Sequence, residues 1–269
     1  MKFTTPEFAM NYTLKGNQEA ERTLVFLNGI FHGEPSWIKQ SRYPFIKNKH
    51  RLVFIDYPGC GDSEIYQPFT YDQLCQAIHA LIKELQLPNV TLIGYSFGGI
   101  LGLELTKRYP NDIDHLIMIN SGSDISTKGK KMMGSVRHMM ETDVDLSTIF
   151  LSVYPWFFSD DYLRQLNDFQ TIVLQRYVEY NHSRPSVLAF LDAISQKTSS
   201  APEKLTAPAL LIGTQGDIIC SLEQQQSLID SHPSFEWDCL PINTHAANIE
   251  AHLVVNKRIQ QYLEAHYEA

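Results

Sequence analysis

A serine hydroxyl is a weak nucleophile until a base takes its proton and a carboxylate orients that base. Residues 92–102, LIGYSFGGILG, offer such a serine: Gly94, Ser96 and Gly98 alternate, and Gly99 follows at once. Glycine costs conformational entropy in regular structure, so this density implies a sharp bend or a close backbone approach. The preceding NVTLIG is apolar and β-branched and reads as a short buried strand. The following GILGLELTKRYP puts Ile100, Leu103 and Lys107 on helical spacing and stops at Pro110. A G-x-S-x-G corner between strand and helix lifts the hydroxyl clear of the sheet. The helix N-terminus then aims free N–H groups and its positive dipole end at the reacting centre. A glycine-rich turn with an incidental serine is the alternative on the pentapeptide alone.

The base and the acid belong on loops at the ends of later strands. Asp217, in LLIGTQGDIIC, follows an apolar run, and His245, in LPINTHAANIE, precedes the last helical stretch. The order Ser96, Asp217, His245 is the one a nucleophile elbow of this kind takes. An Asx turn or helix cap would also account for Asp217, and a helix N-terminal residue for His245. Asp124, after HLIMIN, is a competing acid, and His252 a competing base placed inside the last helix. A tetrahedral intermediate needs two N–H donors. Phe97 supplies one as the residue after the nucleophile. The stretch NGIFHG supplies the other, with Ile30 first and Phe31 next; His32 in the same loop is placed to touch substrate.

Alternating strands and helices must position these groups. NYTLKG and RTLVFLN read as strands paired through the turn near Gly16 and Asn17. A short helical segment broken near Pro44, the strand RLVFID and the helix YDQLCQAIHALIKELQL follow, the last with Leu74, Ile78, Leu81, Ile82 and Leu85 on one face. After the serine comes the strand HLIMIN. From 126 to 206 strand signals vanish and methionines and aromatics accumulate. APALLIG and FEWDCL then resume as strands, and Ile249, Leu253, Val255, Ile259 and Tyr262 mark a closing amphipathic helix. The expected class is α/β: a mostly parallel central sheet with helices on both faces, formed by 1–125 and 207–269 and interrupted by a helical cap at 126–206. An insertion leaving the C-terminal edge of a parallel sheet lands over the ligand crevice.

Four blocks, in order, resemble those of the α/β-hydrolase family, and the resemblance covers nearly the whole chain. FLNGIFHGEPSW resembles the oxyanion loop with its trailing Trp37, and DYPGCGDS resembles the D-x-P-G-x-G-x-S loop. GYSFGG is the elbow, and THAANIEAH resembles the His-x-x-x-x-Glu block before the last helix, with Glu250 in place. Asn28 stands where the family usually has histidine, Thr244 where it has glycine, and His252 where proline is common. The resemblance implies a serine hydrolase acting through an acyl-serine, with no cofactor and no metal. DYPGCGDS is read as a structural loop without chemistry.

With 22 Lys and Arg against 30 Asp and Glu, the net charge is −8 and no basic cluster occurs, which argues against nucleic-acid partners. No window reaches the ~20 apolar residues that span a bilayer. The N-terminus lacks the pattern of a secretory signal, and Cys60, Cys75, Cys220 and Cys239 lack metal or disulfide spacing, so a cytoplasmic location is expected. The expected partner is a small-molecule acyl substrate: an ester, thioester or lactone. Trp156 and Phe158, in YPWFF, are expected to line its apolar pocket, with Phe31 and His32 nearby. Acyl transfer on the same groups, and a non-catalytic ligand receptor on the same fold, are the competing functions.

Overall fold

The computed structural model describes residues 1–166, 169–196 and 204–267. Strands are β1 (Lys2–Thr4), β2 (Phe8–Gly16), β3 (Thr23–Leu27), β4 (Arg51–Ile55), β5 (Glu64–Ile65), β6 (Val90–Tyr95), β7 (His115–Ile119), β8 (Ala209–Thr214) and β9 (Phe235–Leu240). Helices in the first half are α1 (Ile38–Ser41), α2 (Pro44–Lys49), α3 (Tyr71–Glu84) and α4 (Phe97–Arg108), with a 3₁₀ turn at Glu34–Trp37. Between β7 and β8 lie α5 (Thr127–Glu141), α6 (Leu146–Val153), a 3₁₀ turn (Tyr154–Trp156), α7 (Asp160–Leu166), α8 (Gln170–Tyr180) and α9 (Arg184–Ser195). The chain continues through α10 (Leu222–Ser231), α11 (Ala247–Glu250) and α12 (His252–Tyr267).

The sheet order is β1-β2-β4-β3-β6-β7-β8-β9, with β5 beside β2. From β4 to β9 every pairing is parallel. A parallel interior strand is covered on both faces, which explains the unbroken apolar runs of β3, β6 and β8. Their residues still alternate between faces. Val25 and Leu27 join the core that holds α3 and α4, while Leu24 and Phe26 join the one that holds Trp37 and α12. Register seals the layer: Phe26 is opposite Phe54, and their rings stack at 4.6 Å. A capping box between Thr70 and Gln73 starts α3.

Two expectations are corrected here. The strand before Gly16 does not pair with β3; it pairs antiparallel with β4, Gly16 opposite Arg51, and β4 separates the two. β3 is buried at all five positions and needs parallel neighbours on both sides, whereas β2 is partly exposed and suits the antiparallel margin. The closing helix does not run on from Ile249. It restarts at His252, which leaves Leu253 exposed and buries Val255, Ile259, Tyr262 and Leu263 at i, i+4, i+7 and i+8.

Helices α5–α9 contain an apolar cluster of their own that includes Val136, Met140, Ile149, Val153, Val187 and Leu191, joined by Phe31 from the β3 loop. The wider 126–206 segment also contains residues 167–168 and 197–203, which lie outside the described residues. Polar contacts tie the helices to the sheet. Tyr180 Oη donates to Asp56 Oδ1 at 2.9 Å, and the Gly61 N–H donates to the Tyr180 carbonyl at 2.8 Å. Ser63 Oγ closes the DYPGCGDS loop on the Asp56 carbonyl at 2.9 Å. Burial pushes the Asp56 carboxyl up from its ordinary value, against the bonds from Asn11 and Tyr180.

At the opposite end of the sheet His50 is fully buried, with Nδ1 against the Ile46 carbonyl at 3.2 Å and Nε2 against Tyr267 Oη at 3.0 Å. Burial holds its pKa below the ordinary value, with Arg22 and Lys49 adding to the effect. A histidine protonated more readily in the unfolded chain than in the folded one makes stability fall as pH drops below the unfolded value, about 6.5. Denaturant midpoints for wild type should therefore fall between pH 7 and pH 5. His50→Gln should be less stable at pH 7 but lose less over that interval. An equal loss in both proteins would show that His50 does not drive the acid sensitivity.

Candidate active site

Ser96 closes β6 and caps α4 with φ 53° and ψ −119°, a left-handed conformation that a residue with a Cβ adopts rarely. Such strain costs of order 1–3 kcal/mol and persists only where the surroundings impose it. Here they do. A Cβ at Gly94 would collide with the Gly98 carbonyl, and one at Gly98 with the Leu27 carbonyl. The two glycines let strand and helix cross tightly enough to hold the corner. The Ser96 N–H donates to the Ile119 carbonyl at 3.0 Å, and Ser121 Oγ donates to the Ser96 carbonyl at 2.8 Å.

At this corner Ser96 meets two residues that lie more than a hundred positions later in the sequence. His245 Nε2 is 2.9 Å from Ser96 Oγ, and His245 Nδ1 is 2.9 and 2.8 Å from the two Asp217 oxygens. All three are buried. Asp217 Oδ1 also accepts from the Ile219 and Cys220 N–H groups, each at 2.9 Å. With Asp217 as its acceptor, the imidazole holds its proton on Nδ1, which leaves Nε2 free to accept the serine proton. Asp124 lines the same cavity, but its carboxylate caps the Ile125 N–H at 2.8 Å and pairs with Lys130, and it is more than half exposed. His252 Nδ1 faces the Ile249 carbonyl at 3.0 Å.

Ile30 and Phe97 both line the cavity that Ser96 and His245 share. As the first residue of α4, Phe97 has an N–H with no acceptor within the helix. Ile30 lies in a tight turn in which the His32 N–H donates to the Gly29 carbonyl at 3.2 Å. Asn28, in the position where histidine is usual, is fully buried and anchors this loop. It accepts from Trp37 Nε1 at 2.8 Å, donates to the Ile55 carbonyl at 2.7 Å, and its own carbonyl accepts from Tyr57 Oη at 2.9 Å. Phe31 takes φ 67°, and its carbonyl accepts from Asn181 Nδ2 at 3.2 Å. His32 Nδ1 bonds the Ile30 carbonyl at 2.8 Å; burial, with a smaller effect from nearby His245, brings its pKa down to about 4. It is therefore a neutral wall residue.

The cavity measures about 680 Å³, and its walls are mostly apolar, drawn from the β3 loop, α4, α5 and α9. Trp156 and Phe158 do not line it, contrary to expectation. They face a smaller cavity of about 360 Å³ on the other side of His245, while Phe157 lines the larger one. The cause is geometric. The 3₁₀ turn ends at Trp156, and beyond it the chain turns alternate side chains to opposite sides of His245, Phe157 toward the larger cavity and its two neighbours toward the smaller. Phe157 also has a role that composition could not show: its carbonyl accepts from the His245 N–H at 2.8 Å and from Thr244 Oγ1 at 3.0 Å. Glu250 accepts from Ser159 N–H at 3.1 Å and bonds its hydroxyl.

A further residue escaped the sequence reading. Asn120, at φ 44° just after β7, is fully buried. Its Nδ2 lies 3.1 Å from Asp217 Oδ2, 3.1 Å from the Thr244 carbonyl and 3.0 Å from Thr214 Oγ1, and its Oδ1 accepts from the Ala247 N–H at 3.0 Å. One amide thus links the acid to the loop that holds His245. An Asn ending a strand is an unremarkable turn residue in sequence, so no pattern marks it.

A family model described as the alpha/beta hydrolase fold matches residues 22–234. A 3-oxoadipate enol-lactonase of Acinetobacter baylyi is 24% identical over 267 residues, covering 97% of this chain and 95% of that protein. A candidate carbamate hydrolase, RutD, of Agrobacterium fabrum is 22% identical over 261 residues, covering 94% and 98%. Among solved structures, an enol-lactonase from Burkholderia xenovorans superposes with a TM-score of 0.86 at 19% identity, covering 98% of this chain and 100% of that one.

Asn120→Ala should leave the chain folded but release the acid from the base loop. A misplacement of reacting groups by about 1 Å costs on the order of 10²-fold in rate. The expected result is a loss of that size in kcat with KM little changed. An unchanged kcat would show that Asp217 and His245 hold their places without the amide.

Proposed function

This chain belongs to the α/β-hydrolase fold family and is a hydrolase of that fold; we propose that it cleaves an ester, thioester or lactone through an acyl-serine intermediate. The observation that carries the reading is the continuous hydrogen-bonded path from Ser96 Oγ through His245 to Asp217, at 2.9 and 2.8 Å. Ser96 Oγ attacks the carbonyl carbon while His245 Nε2 takes its proton. The N–H groups of Ile30 and Phe97 receive the oxyanion. On collapse, the bond to the leaving oxygen or sulfur breaks and His245 returns the proton to it, leaving Ser96 acylated. Water then attacks with His245 again as base, and the acid leaves with Ser96 restored. Asp217 orients the imidazole and stabilises its cationic form. Each step draws only on the chain's own residues and water.

The relatives named for lactone and carbamate hydrolysis act, by those names, on a carbonyl carbon bonded to oxygen or nitrogen, which is compatible with this cycle. The apolar walls favour an apolar acyl group, gaining roughly 0.8 kcal/mol per buried methylene. In this reading Phe31, His32 and Phe157 contact the substrate, and the helices between β7 and β8 act as its cap.

Ser96→Ala should lower kcat by more than roughly a thousandfold without unfolding the chain. Asp217→Asn keeps the shape but favours the wrong imidazole tautomer, a loss of about 10⁴-fold in kcat. Asp124→Asn should stay close to wild type. Steady-state kinetics on a short acyl ester checks all three, and an inactive Asp124→Asn beside an active Asp217→Asn would move the acid to the other strand.

A further inference from the structure

Gly134 sits in the middle of α5, where glycine weakens a helix relative to alanine. Nothing in its surroundings asks for one. Its φ is not in the left-handed region, and a Cβ placed there would meet no atom within 4 Å. Gly129, one turn and a half earlier on the same helix, is different: a Cβ there would crowd the Ile219 carbonyl at 3.2 Å. Gly134 lies instead at the exposed rim of the cavity that contains Ser96, with Met133 and Arg137 of the same helix on that wall. A side chain at 134 would thus project into open space at this rim.

The charges at this rim are already matched. Arg137 donates Nε to Glu141 at 2.7 Å and Nη1 to Asp192 of α9, while Lys130 pairs with Asp124. Two cations face three carboxylates, so among the described residues the wall offers no unmatched positive charge to a substrate anion. On the same cavity, Ile100, Ile125, Leu191 and Ile194 add apolar lining.

We propose that Gly134 is the specificity-determining position of this enzyme: the acyl chain is uncharged and long enough for its far end to leave the cavity past Gly134. The proposal rests on the reading of Ser96 as the nucleophile and adds the acyl class and its exit. A side chain at 134 would overhang the passage and shorten the longest acyl group accepted, while leaving the reacting carbonyl untouched.

The test is an acyl series from acetyl to dodecanoyl on one common leaving group, with an ω-carboxylate member of the same length. It is run on wild type, Gly134→Ala and Gly134→Phe, alongside a series that varies the leaving group on a fixed acetyl. Melting temperatures verify folding, and alanine should raise them. Expected is a loss in Gly134→Phe that grows with chain length, smallest on acetyl and at least roughly tenfold in kcat/KM on the longest chains. The ω-carboxylate ester should be poorer than its methyl-ended counterpart in wild type. Identical chain-length profiles in wild type and Gly134→Phe would overturn the proposal, as would an effect confined to the leaving-group series or a preference for the ω-carboxylate. Failure of the underlying reading is distinguishable, since acetyl turnover that survives in Ser96→Ala would indict the nucleophile and not Gly134.

Discussion

The constraint on which the molecule turns is the left-handed backbone of Ser96. A residue with a Cβ does not rest there unaided. It is held because β6 and α4 cross where Gly94 and Gly98 leave no side chains between backbones, and because Ile119 and Ser121 bond the Ser96 main chain from the neighbouring strand. The parallel sheet is what makes this compulsion possible. Its strands β3, β6 and β7 are buried on both faces and register-locked to one another, so the corner cannot relax by sliding. Strain at the serine is balanced by burial elsewhere.

The same sheet delivers the partners. The loops after β3, β6, β7, β8 and β9 all leave at the C-terminal edge, and each brings one kind of group: Ile30, Ser96, Asn120, Asp217 and His245. They are then cross-linked by main-chain and amide bonds. Asn120 joins the acid to the base loop, the Phe157 carbonyl holds that loop from the helical side, and Ser126 Oγ ties the start of α5 to the Ile218 carbonyl at 2.6 Å beside the acid. The helices between β7 and β8 are thus in contact with both the acid loop and the base loop. Their placement and the alignment of the candidate triad are one problem in packing.

What the sequence disclosed follows from where chemistry forces residue types. Ser96 is visible because only glycine tolerates the crowding around it. Asp217 and His245 are visible because each follows an apolar run and falls in the chain order of this scaffold. Buried strands such as LVFL and TLIG announce themselves by lacking polar positions. Other features depend on through-space partners and leave no local trace. The separation of β2 from β3 depends on which neighbour each edge finds, and β1 and β5 are short enough for main-chain pairing alone to define them. In YPWFF the aromatic composition is plain, but only the folded backbone puts Phe157 on the cavity of Ser96 and Trp156 on the other. Asn120 and Gly134 look ordinary until their surroundings are known.

The central claim is that Ser96, activated by His245, becomes covalently acylated. The most direct measurement uses a fluorophosphonate, in which the serine oxygen displaces fluoride from phosphorus and forms an adduct that water does not readily clear. Wild-type protein should lose activity in step with the gain of one phosphonyl group per chain, and digestion followed by mass spectrometry should place that mass on Ser96. A protein that still turns over an acyl ester after full exposure, or that carries the label on another residue, would contradict the account.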